Sequence, residues 1–210
     1  MNQAKRAESL FREQFGSEPK WLSRAPGRVN LIGEHTDYSG GFVFPAAIDR
    51  GIWVAAGPSD DGLCRLFSED EGGADGFALA GSSPQNKAAG WAQYPAGAAW
   101  SLGAKTPLKA VVVTTLPLGA GVSSSAAIEM AFAVLWNQID SLGFTSKELA
   151  LLSVNAEREY VGMPCGTMDQ LASAMGVEGS ALLIDTLDST IEARKLPESL
   201  VMVVCDTGKR

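Results

Sequence analysis

The sequence predicts an α+β fold, and three observations predict it. β-Branched and apolar runs bounded by turn residues crowd the first half. Helical spacing dominates the second half, and one strand, glycine loop and helix unit at 111–135 joins the two. Strands that come early and helices that cluster late differ from the regular alternation of a doubly wound sheet.

Taken in order, residues 4–16 set Ala7, Leu10, Phe11 and Phe15 at helical spacing, with Gly16 as the stop. Trp21–Ser23 reads as a short strand, and Arg24-Ala25-Pro26-Gly27 turns into a second strand over Arg28–Gly33. Glu34–Gly41 is a polar loop, and Phe42–Ile48 resumes an apolar run. Gly51–Ala56 and Leu63–Ser68 read as paired strands joined across Pro58–Gly62. Residues 69–87, rich in Gly, Asp and Ser, are expected to form a mobile surface excursion. Ala88–Leu102 reads as a helix, with Trp91, Tyr94 and Trp100 as packing residues. Further on come a buried strand at 111–115, a buried helix at 126–135 and a helix over Ser146–Tyr160 with Ser146 as its N-cap. Thr167–Met175 is a short helix. Ala181–Asp185 and Val201–Cys205 read as strands, the latter a central strand entering a loop by residue 210.

Length allows one domain or part of a two-domain protein. Hydrophobic residues make up 46% and charged residues 20%, as in a water-soluble globular chain. The net charge is −7 and the basic residues are scattered, which excludes a nucleic-acid footprint. Cys64, Cys165 and Cys205 are odd in number and have no metal-ligand spacing, so a reducing cytoplasm is expected. The N-terminus has no apolar leader and no stretch reaches membrane-span length, so no membrane partner is expected.

Leu116–Ala127 is the stretch around which the rest is organised. Gly119 and Gly121 allow close backbone approach, Ala120 and Val122 lie between and after them, and Ser123, Ser124 and Ser125 add three hydroxyls at a helix N-terminus. This is an anion site in outline. It is not a Walker A loop, since no Gly-Lys-Ser/Thr follows, and Ser124 stands where a dinucleotide fingerprint has its third glycine. On local grounds an ordinary strand-to-helix turn with a serine cap stays open. Gly27–Gly41 gathers Arg28, Glu34, His35, Thr36 and Asp37, and His35 is the only histidine. Such donors and acceptors suit a hydroxyl-rich ligand, or a solvated turn, and lack zinc-site spacing. In the stretch 155–170, Glu157 could give a hard oxygen to Mg²⁺. Asp169 begins a helix, where the dipole alone favours a carboxylate.

Three segments in this order resemble the motifs of the GHMP kinase superfamily, which includes galactose, homoserine, mevalonate and phosphomevalonate kinases. Leu116–Ala127 is similar to its phosphate loop, while Gly27–Pro45 and Cys165-Gly166-Thr167-Met168-Asp169-Gln170 resemble segments of the galactokinase family. The likeness implies the N-terminal domain of that superfamily, with a core similar to domain 2 of ribosomal protein S5. Residues 1–50 would be the sugar-binding signature and 51–210 the kinase N-terminal domain, together one structural domain. It implies phosphoryl transfer from ATP to the anomeric hydroxyl of α-D-galactose. Asp169 would be the catalytic base and Arg28 its partner, stabilising charge on the phosphoryl group. Glu34, His35, Thr36 and Asp37 would bind the sugar. Gly119, Ala120, Gly121, Val122, Ser123, Ser124 and Ser125 would bind the nucleotide, with Ser68 nearby, and Ser125 and Glu157 would hold Mg²⁺. Galactokinases continue with a second domain, which this chain is expected to lack. Alone it is expected to be weakly active or inactive and to expose an apolar patch, while the whole protein would act as a monomer. A kinase for an N-acetylated galactose, and a non-catalytic sugar and ATP sensor, stay open as alternatives.

Overall fold

Helix α1 (Gln3–Phe15) opens the chain, capped by the Asn2 side chain and ended by Gly16 at φ 63°. The computed structural model describes residues 2–117 and 119–205. Strand β1 (Trp21–Asn30) leads through the 31–41 loop to β2 (Phe42–Val43) and β3 (Pro45–Pro58). Strands β4 (Leu63–Ser68) and β5 (Gly73–Ala78) follow, then helix α2 (Gln93–Leu102) and strand β6 (Leu108–Thr114). Helices α3 (Ser124–Ile139), α4 (Ser146–Asn155) and α5 (Met168–Met175) come next, and strands β7 (Ser180–Asp185) and β8 (Thr190–Lys195) last.

Five strands form one sheet in the order β1-β3-β6-β4-β5; all neighbours are antiparallel except β6 and β4. β2, β7 and β8 form a second, antiparallel sheet. Strand β6 occupies the middle of the larger sheet, so its run Ala110–Val113 is buried on both faces. Residues of alternate parity serve opposite layers. Val111 and Val113 meet Ala7 and Phe11 of α1 on one side, while Ala110 and Val112 join the main core under α2, α3 and α4 on the other. Among the described residues no helix is long and apolar enough to cross a membrane.

Several expectations need correction. The two short strands expected before residue 34 are one strand, β1, bent by a bulge between Pro26 and Arg28. Likewise 42–48 and 51–56 do not end at Asp49-Arg50. Strand β3 runs through that exposed pair because Gly51 lets its backbone pass against Ala25 and Pro26, where a Cβ would collide. The expected surface excursion at 69–87 contains strand β5, whose Phe77 packs into the core. Helix α2 starts only at Gln93, after a single 3₁₀ turn at Gly90–Ala92. Val201–Cys205 forms no strand and is exposed; the loop expected at 206–210 lies outside the described residues.

The N-cap of α4 is Thr145, one residue earlier than Ser146. It forms a reciprocal capping box with Glu148, whose carboxyl is held below its ordinary range chiefly by the Thr145 backbone N–H. Thr145→Ala removes half of that box and should lower Tm by ~2–4 °C, read by thermal denaturation beside the parent chain.

Candidate active site

The central strand delivers the chain to the site. After Thr114 the backbone turns into α3, with Gly119 and Gly121 both at φ 71°, values that glycine adopts without strain. Ser123 takes the same left-handed region at φ 58°, which is costly for a residue with a Cβ. Its hydroxyl does not cap α3; it donates to Asp169 Oδ2 at 2.5 Å. The strained residue thus ties the loop to the first turn of α5.

Arg28 makes the second tie. It sits on β1 just past the bulge, and its Nε donates to Asp169 Oδ1 at 2.7 Å while Nη1 donates to the Gly121 carbonyl at 2.6 Å. Its backbone N–H reaches the Val122 carbonyl at 3.2 Å. The Arg28 and Asp169 side chains are 13% and 28% exposed, so the pair is partly shielded yet reachable. Arg28, Asp169 and the loop residues Gly119–Ser125 line a cavity of about 250 Å³. Free N–H groups at the start of a long helix, a guanidinium and serine hydroxyls suit a phosphate chain.

Behind this cavity lie two carboxylates. Glu157 is 8% exposed and stands in a π-helical turn, Ala156–Val161, that extends α4; Glu129 is fully buried inside α3. Burial pushes both carboxyls up, Glu129 furthest, and hydrogen bonds from Gln170 and Ser125 partly offset the rise at Glu157. Glu157 with the Ser125 hydroxyl offers hard oxygens beside the Gly119–Ser125 loop, a donor set that fits Mg²⁺. Cys165, half-buried near Glu157, has its thiol pushed up to about 12, first by burial and next by the Glu157 charge, which favours the neutral thiol.

The 31–41 loop is brought to the same place in part. Asp37 is pushed above its ordinary range, first by burial and next by the negative charge of Asp169, so the two carboxylates share one neighbourhood. A Cβ on Gly166 would strike the Asp37 carboxylate, which shows how closely the Cys165–Gly166 turn packs on it. Thr36 is tied to the backbone of its own loop. Its hydroxyl lies 2.8 Å from both the Gly33 and Phe42 carbonyls and pins the loop. Glu34 accepts from Asn30 Nδ2 at 2.7 Å and is exposed. His35, exposed at φ 61°, has its ring tilted against Tyr38. Ser68 is fully buried with no partner for its hydroxyl, and it lines neither the loop cavity nor the cleft described next.

Sequence reading missed that cleft. Trp91, Tyr94, Glu71 and Ile128 meet Ser124 and Ser125 around a space of about 150 Å³ that opens onto the loop. Both aromatics are only partly buried, which suits a planar base. The available signal was the pair itself, two large aromatics just ahead of Pro95 and Gly97, where a buried helix needs small residues instead.

Residues 9–58 match a family described as the galactokinase galactose-binding signature, and residues 93–177 match the N-terminal domain of GHMP kinases. A galactokinase of Chloroflexus aggregans is 43% identical over 206 residues, covering 96% of this chain and 53% of that protein. One from Streptomyces coelicolor is 41% identical, covering 94% of this chain and 53% of its own. The chain therefore spans about half the length of the curated relatives it matches. Among solved structures, Lactococcus lactis galactokinase complexed with galactose superposes with a TM-score of 0.81 at 31% identity, covering 90% of this chain and 51% of that one. The mevalonate kinase of Methanococcus jannaschii, at 22% identity and a TM-score of 0.68, shares the fold.

Proposed function

Because the chain matches the N-terminal half of galactokinases, within the GHMP kinase superfamily, we propose that it carries the phosphoryl-transfer site of an enzyme making galactose 1-phosphate from galactose and ATP. One observation carries this reading. Asp169 is held by Arg28 and Ser123 at the mouth of the phosphate loop, with Asp37 beside it.

The roles follow from that geometry. Gly119–Ser125 wrap the ATP phosphates, and Trp91 and Tyr94 flank the base in the adjoining cleft. Asp37 accepts from a sugar hydroxyl and orients the ring, with Glu34 and His35 on the same loop for the hydroxyls farther out. Asp169 then takes the proton of the anomeric hydroxyl as its oxygen forms a bond to the γ-phosphorus. The bond from that phosphorus to the β-γ bridging oxygen breaks, and ADP leaves. Arg28 balances the negative charge that spreads over the transferring group. Ser125 and Glu157 would hold Mg²⁺, which when bound neutralises charge on the phosphates. The free thiols of Cys64 and Cys165 suit a reducing cytoplasm.

A second reading, a kinase for N-acetylgalactosamine, is favoured by a cavity of about 710 Å³ beside the sugar loop. Tyr38, Arg158, Gly162, Pro164 and Cys165 line it. ADP release measured with each sugar in turn separates the two. Galactose should be the better substrate, and a preference for the N-acetylated sugar would overturn the first reading. Gly166→Ala pushes Asp37 out of place and should raise the galactose KM by ~10-fold or more while the ATP KM holds, read from initial rates.

A further inference from the structure

Asp169 and Gln170 are neighbours on α5 with different surroundings. Asp169 lines the loop cavity, whereas Gln170 is fully buried. The Gln170 amide nitrogen donates to Glu157 Oε2 at 2.6 Å and to Glu129 Oε2 at 3.2 Å. A primary amide has two N–H groups, so both are committed to carboxylates. These bonds join α3, the π-helical turn and α5 at one point. Among the described residues, Glu129 Oε1 and Gln170 Oε1 are buried and find no protein partner, a cost that an apolar trio would avoid. Structure alone gives no reason for such a cluster, but a role at the adjoining site does.

We infer that Gln170 is a positioning residue for the cation half of the site, gripping Glu157 through one oxygen so that the other stays available beside Ser125. The inference rests on the reading of Ser125 and Glu157 as Mg²⁺ ligands. An amide is suited to the task because it holds a carboxylate without cancelling its charge, as a lysine or arginine would. Glu129 is the anchor that takes the second N–H and fixes the amide's direction. Since Gln170 follows Asp169 directly, one helical turn sets the base and the cation's carboxylate together.

The test is calorimetric titration of the folded protein with ATP, without sugar, once with Mg²⁺ and once with EDTA; galactose is titrated separately. The parent should bind ATP more tightly with Mg²⁺. Gln170→Met keeps the side-chain length and removes both donors. It should shrink that preference by ~10-fold while ATP affinity in EDTA and galactose affinity stay within about two-fold. Gln170→Asn, too short to reach Glu157, carries the same expectation should the methionine variant not fold. Glu129→Gln can still accept from Gln170 and adds a donor for its orphaned oxygen, so the preference should hold within about two-fold. An unchanged preference in Gln170→Met, or equal losses in all three titrations, would overturn the inference. So would a collapse in Glu129→Gln, which would make Glu129 itself the ligand. No Mg²⁺ preference in the parent would remove the cation reading and this inference with it, a failure visible before any substitution is compared.

Discussion

Asp169→Asn should lower turnover by ~10³-fold and leave the galactose KM within a few-fold. The reason is that the substitution changes one thing. An asparagine oxygen can still accept from Arg28 Nε, and the Ser123 hydroxyl can reverse to accept from the new amide, so the ties between β1, the loop and α5 survive. What is lost, on the proposed reading, is the group that takes the anomeric proton. The range for general-base removal, ~10²–10⁴, sets the size. Steady-state rates of ADP release with varied galactose check both halves of the statement. A KM that rises with the fall in turnover would mean that Asp169 serves mainly to bind sugar.

Arg28→Met should cost ~10²–10³ in kcat/KM, and Arg28→Lys should recover only a small part. Arg28 does two things at once: it pairs with Asp169, and it holds the loop through the Gly121 carbonyl. A lysine has one compact ammonium and cannot span both acceptors with the fixed geometry of a guanidinium. Loss of the pair also leaves Asp37 and Asp169, two neighbouring carboxylates, without the cation between them, so Asp37 should rise further above its ordinary range. Galactose binding should therefore fail at a higher pH in Arg28→Met than in the parent as the solution is acidified. Kinetics over a pH series, with Tm recorded alongside, measures both effects.

Part of the candidate site was legible because its geometry is local. The glycine loop and its serine run show locally as the outline of an anion site, and the Gly16 stop of α1 is equally local. Asp169 stands out only by resemblance and is tied to Arg28 and Ser123 from far along the chain. What escaped depends on partners far away in the chain. Nothing near Asp49-Arg50 says that the strand continues, because Gly51 is needed only where β1 crosses it. Strand β8, Thr190–Lys195, is an exposed edge with four charged or polar residues in six, so it lacks the apolar alternation that marks a half-buried strand. The 201–205 run has that apolar content but no strand pairing. Glu129 is the sharpest case. It sits in a helix that otherwise reads as core, and only its bond to Gln170, 41 residues later, shows its place. The structural part of Thr36 was equally out of reach: its hydroxyl lies against the Gly33 and Phe42 carbonyls, a contact that only the folded loop creates.

The most direct test of the account is phosphorus NMR of the products formed from galactose, ATP and Mg²⁺ when this chain is carried in a protein of its relatives' full length, with Asp169→Asn run beside it. The account predicts one sugar phosphate, its phosphorus coupled to the anomeric proton, together with an equal amount of ADP, and almost none from the variant. Phosphate on another hydroxyl, ADP without a sugar phosphate, or equal product from Asp169→Asn would contradict it.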